Sequence, residues 1–104
     1  MTEELYAQVK DKCNITWEDD DTKRRVERII KTAIPDMIHR LGITDKNFDF
    51  STDSDENTIF LNRCFYEWNH ALNEFYANYA DSIAQIRARN EVKQYLESEE
   101  SESE

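Results

Sequence analysis

The sequence predicts an all-α fold: a small bundle of three to four helices, with a long helix in the C-terminal half and a flexible acidic tail. Three observations predict it. The 104 residues include one Gly and one Pro, whereas the tight turns of a small sheet protein depend on those residues. Apolar residues recur at helical spacing along two long segments. Ser, Thr or Asp stands ahead of each apolar run, where a helix would be capped.

The first helix is expected over about residues 3–12, with Thr2 as its N-cap and Leu5, Val9 and Tyr6 facing inward. The second is expected over 17–41, capped by Thr16 with Asp19 three residues on as a shortened capping-box acid. Glu18, Asp19, Asp20 and Asp21 fill its first turn, where the helix dipole favours negative charge. Val26, Ile30, Ala33, Ile34, Met37 and Leu41 share one face, flanked by Ile29 and Ile38. Gly42 supplies the left-handed residue that ends the helix. Pro35 lies on the polar side and should bend the helix without breaking it, because the apolar stripe stays in phase on both sides.

Residues 43–54 read as a loop, with Phe48 and Phe50 either tucked inward as anchors or forming a brief extended segment. Ser54 caps the third helix, expected over 55–88 or broken near Ala80–Ser82. Leu61, Cys64, Phe65, Trp68, Leu72, Phe75, Tyr76 and Tyr79 fall within one sector of its wheel, as in a helix facing a core. Arg63, Tyr66, Glu67, His70 and Asn73 fall on the other side. A short arm at 91–96 closes a single domain of residues 1–96. Residues 97–104, ESEESESE, hold five Glu and nothing apolar, and are expected to be disordered.

Charge and motif content exclude several functions. Thirteen basic residues face 23 acidic ones, a formal charge of −10, which opposes general binding to phosphate backbones. The aromatics of 64–80 have Glu and Asn as neighbours, not the Lys and Arg of a base-stacking platform. No apolar run approaches the ~20 residues of a membrane span. The N-terminus has neither the apolar core nor the basic flank of an export signal, so the chain is expected in a cytoplasm with reduced cysteines.

Cys64 and His70 are six apart, and metal ligands on one helix prefer three or four. Cys64 is therefore expected to be a small buried hydrophobe. Asp49, Ser51, Asp53 and Asp55 imitate a calcium loop, but the sixth place lacks Gly and the twelfth is Phe60 in place of Glu. No convergent nucleophile, base and oxyanion set stands out. The chain is expected to be no enzyme and to hold no cofactor or metal.

Two groups remain as candidate protein interfaces. Arg24, Arg28 and Lys31 share the polar side of the second helix. They either pair with Asp20, Asp21 and Glu27 or meet an acidic protein partner. Tyr66 and His70, four apart, either anchor a partner or are simply solvated.

The order of features resembles the small head–tail connector (adaptor) proteins of tailed bacteriophages, often labelled DNA packaging proteins. Three stretches carry the likeness over about residues 3–90. They are the leading helix followed by Asn14-Ile15-Thr16-Trp17, the Val26–Leu41 helix ending at Gly42, and Leu61-x-x-Cys64-x-Tyr66 followed by Ala71, Phe75, Tyr79, Ile83 and Arg87. Pro35 and the Glu/Ser tail depart from the family pattern. The resemblance implies an all-helical structural subunit, monomeric in solution or assembled as a homo-oligomeric ring beneath the portal protein. Such a ring extends the DNA channel, lets DNA pass without sequence-specific binding, and docks a stopper or tail-completion protein. It also adds Arg87 to the candidate interface and implies a virion location after synthesis in the host cytoplasm. The alternative is a small cytoplasmic helical adaptor or regulator that binds one acidic partner through Arg24, Arg28 and Lys31.

Overall fold

In the computed structural model, which describes residues 2–102, every regular element is a helix: α1 (Glu3–Lys12), α2 (Asp20–Arg40), α3 (Asp55–Trp68), α4 (Leu72–Asn78) and α5 (Ala80–Glu102). Local chemistry explains most boundaries. Thr2, Asp19 and Ser54 are N-caps whose side chains accept from the backbone N–H of Leu5, Thr22 and Asn57.

The three C-termini that follow use one device. Asn14, Gly42 and His70 all have φ near +60°. At each, two backbone N–H groups turn back onto the last turn: Ile15 N donates to the Lys10 carbonyl, Ile43 N to Ile38, and Ala71 N to Tyr66. These are Schellman closures, which satisfy carbonyls a helix end would otherwise orphan.

These closures correct three expectations. α2 starts at Asp20, not at residue 17, because Ile15 is drawn into the core and the chain runs extended to the Asp19 cap. The expected 55–88 helix is three helices. His70 in the left-handed region ends α3, and a second break at Tyr79 separates α4 from α5. The arm at 91–96 and the segment from residue 97 to Glu102 are helical, as the continuation of α5. Glu is a good helix former, so a Glu-rich segment can prolong a helix that is already nucleated. Residues 103 and 104 of the expected tail lie outside the described residues.

The core sits where α1, α2 and α3 meet. Val26, Ile29, Ile30, Ala33, Met37 and Leu41 of the α2 segment are buried, as the periodicity required, and α2 continues through Pro35. Phe50 and Phe48 are the expected anchors of the 43–54 loop. Phe50 stacks on Phe60 at 4.5 Å between centroids, and Phe48 meets its edge at 4.9 Å. Asn57 and Gln8 secure the same loop: Asn57 Nδ2 donates to the Phe50 carbonyl at 2.6 Å and Gln8 Nε2 to the Ser51 carbonyl at 2.9 Å.

α5 is fastened to the C-terminal end of α2 by side chains. Asn90 Nδ2 donates to the Leu41 carbonyl (2.8 Å) and Gln94 Nε2 to the Gly42 carbonyl (2.7 Å), with Arg87 Nη1 near the His39 carbonyl (3.4 Å). Beyond Gln94 the helix leaves the body. The radius of gyration is 15.4 Å, against about 13 Å for a compact chain of this length.

Gly42 is the tightest point of this junction. Its φ is +66°, and a Cβ there would sit 3.1 Å from Arg87 Cγ. Gly42→Ala should cost about 1–2 kcal/mol from the left-handed backbone alone. Gly42→Asn should cost less, because Asn tolerates that region. Urea unfolding of the two variants checks the ranking.

Candidate functional site

The six residues expected at an interface do not form one patch. Arg24, Arg28 and Lys31 are exposed on α2. Arg24 reaches Asp21 one turn back, as the intrahelical reading expected. Among the described residues, Arg28 and Lys31 form no ion pair, so two cations on this face have no carboxylate partner within the chain.

Their neighbour Arg25, not singled out by the sequence, is committed internally. It donates to the Trp68 carbonyl, lies over the Trp68 ring at 4.0 Å, and comes within 3.2 Å of His70 Nε2. A cation at the C-terminal end of α3 satisfies a carbonyl and meets the negative end of the helix dipole.

Tyr66 and His70 part company, correcting their pairing as outward neighbours. Tyr66 turns into the aromatic cluster, 5.9 Å from the centroids of both Phe75 and Tyr79. His70 is exposed and belongs to the α3 closure and the Arg25 contact. Arg87 is exposed and pairs with Glu91 at 3.0 Å, beside its α2 contact.

A second correction concerns Arg63, assigned to the polar side of its helix. Its side chain is 2% exposed and is the centre of a polar network joining three helices. Arg63 Nε donates to Asp36 Oδ2 (2.9 Å) and Nη1 to Glu67 Oε1 (2.9 Å). Tyr76 OH donates to the same Asp36 oxygen at 2.8 Å, while Arg40 Nε donates to Oδ1 at 2.8 Å. The Arg40 guanidinium also lies 4.0 Å from the Tyr76 ring centroid. Burial alone would raise the Asp36 pKa, but hydrogen bonds from Tyr76, Arg40 and Arg63 outweigh it and hold the carboxyl below its usual range. Burial, reinforced by the Asp36 hydrogen bond, pushes the Tyr76 phenol up. Asp36 is thus an ionised acceptor saturated by donors, not a general base.

Both thiols are buried and free. Burial pushes Cys13 up to about 11 and Cys64 further still, so both are protonated near neutral pH and packed as hydrophobes. The Asp49 carboxylate folds onto its own loop, accepting from Ser51 N (2.9 Å) and Oγ (2.6 Å). Among the described residues, no three His, Cys, Asp or Glu side chains converge as metal ligands, and no helix is long and apolar enough to cross a membrane.

What the surface offers instead is protein-facing chemistry: the Arg28–Lys31 face of α2, and exposed Val92, Tyr95 and Leu96 on α5. The α5 group was legible only as a possible arm, because its partners within the chain lie on the other side of that helix. No family model, curated protein or solved structure matches the chain.

Proposed function

We propose that the chain is a structural subunit of the head–tail connector of a tailed bacteriophage, a non-enzymatic protein whose copies form a ring beneath the portal. The observation that carries this reading is the likeness of residues 3–90 to that family. An all-helical body with a helix that leaves it, exposing apolar side chains to a partner, supports it. The formal charge of −10 suits a channel through which DNA must slide without being held. Its place would be the head–tail interface of the virion, where the ring also docks a stopper or tail-completion protein.

The test is mixing the purified full chain with the portal oligomer that it would serve, followed by sedimentation and electron microscopy. A ring of copies on the portal is the expected result; a chain that stays monomeric and ignores the portal sinks the reading. The same chain should not retard duplex DNA at physiological salt.

The two cations of α2 without a carboxylate partner favour the second reading, a small helical adaptor for one acidic protein. It predicts a 1:1 complex abolished by charge reversal at Arg28 and Lys31, with no ring.

A further inference from the structure

α5 carries apolar side chains on two opposite sides. Ile83 and Ile86 face the body on the side that also presents Asn90 and Gln94 to α2. At 100° per residue, Ala84, Ala88, Val92 and Leu96 lie on the reverse side with Tyr95 beside them, and all five are exposed. Val92 is 59% exposed, Tyr95 63% and Leu96 53%. A helix that is apolar on both sides is built to be covered on both. The chain cannot cover this stripe itself, because the opposite side of the helix is the one fastened to α2.

The charges flanking the stripe indicate what covers it. Glu97 and Glu99 follow Leu96 directly and are exposed. The complementary surface is the exposed face of α2, where Arg28 and Lys31 have no ionic partner among the described residues and Thr32 and Pro35 continue the row without acidic charge. The stems of Arg and Lys can lie along apolar side chains while their heads reach carboxylates.

We infer that the outer stripe of α5 docks on the α2 face of a second copy of this chain, with Glu97 and Glu99 opposite Arg28 and Lys31. This rests on the connector reading and names the contact between its subunits. The two surfaces are different, so the contact is head-to-tail, the kind that closes into a ring when the rotation allows. The net charge of each copy opposes approach at long range. At physiological salt that repulsion is screened beyond about 8 Å, while pairs in contact persist.

Self-association of the full-length chain by sedimentation velocity tests this, with crosslinking as a second readout. Arg28→Glu/Lys31→Glu should weaken association at least tenfold, and Glu97→Lys/Glu99→Lys added to it should restore it. All four positions are exposed, so folding is not at stake. In a mixture of Leu96→Cys and Lys31→Cys proteins, an intermolecular disulfide should join one of each. Unchanged association of the Arg28/Lys31 variant, failure of the restoring pair, or no mixed disulfide overturns the inference. So does loss of association on Val92→Glu without any effect of the α2 reversal, which would mean α5 pairs with another α5. Portal binding is read separately. Rings on the portal that are indifferent to these changes overturn the contact and leave the connector reading intact. A mixed disulfide with no portal binding does the reverse.

Discussion

Arg63→Ala is expected to destabilise the fold by about 3 kcal/mol, the lower end of the cost of breaking a buried ion pair. The lower end applies because Asp36 keeps 23% exposure and two other donors, Arg40 and Tyr76, while Arg63 itself is 2% exposed. The loss is large because removing the guanidinium leaves the Asp36 and Glu67 carboxylates short of a partner and a cavity where three helices meet. Arg63→Lys should recover part of it, since one ammonium cannot span both carboxylates as the fork does. Urea unfolding with a double-mutant cycle against Asp36→Asn measures the coupling; a coupling near zero would show that the two residues are neighbours without being partners.

The pH dependence follows from the direction of the shift. The Asp36 pKa is lowered in the folded state, so its contribution is complete above the ordinary Asp value near 3.9 and is lost as pH falls through the folded value. The acid side of the stability profile should therefore be steeper in the parent protein than in Arg63→Ala. Tyr76 acts at the other end: its pKa is raised, so its contribution is intact below about pH 10 and declines as pH rises through the folded value.

Phe60→Ala should cost about 3–5 kcal/mol, the range for removing a buried aromatic. Phe60 is 0% exposed and is the ring on which Phe50 stacks. Its loss opens a cavity and releases the main apolar anchor of the 43–54 loop. Against a total stability of about 5–15 kcal/mol for a domain of this kind, either substitution brings the protein near its unfolding threshold. Phe60→Leu should cost about 1.5 kcal/mol or less if the core repacks. Guanidinium midpoints, with unchanged slopes, check both values.

Helix content, the α2 stripe, the Thr2 and Ser54 caps and the Gly42 stop were legible because each rests on chemistry within a few residues. The break at His70 was not. Left-handed histidine is uncommon, and the apolar pattern continues in approximate phase across it. The role of Arg63 was hidden for a different reason. A helical wheel assigns an arginine to solvent, and only the arrival of Asp36 from α2 and Tyr76 from α4 supplies the partners that make its burial tolerable. Tyr66 was misplaced by the same break: once α3 ends at Trp68, α4 turns and brings Phe75 and Tyr79 onto the Tyr66 ring. The α2 candidates fared better, because exposure on a polar helix face is a local property.

The Asp36 network and the α5 junction divide the molecule into two tiers of opening. One carboxylate receives donors from α2, α3 and α4, so those helices cannot separate without breaking the same set of bonds. α5 is held chiefly by side chains on terminal carbonyls and by Arg89 on Asp55 and Glu56. Amide hydrogen exchange should accordingly show the α2–α4 amides protected to a common, near-global limit, with α5 exchanging through a smaller opening that leaves the rest folded.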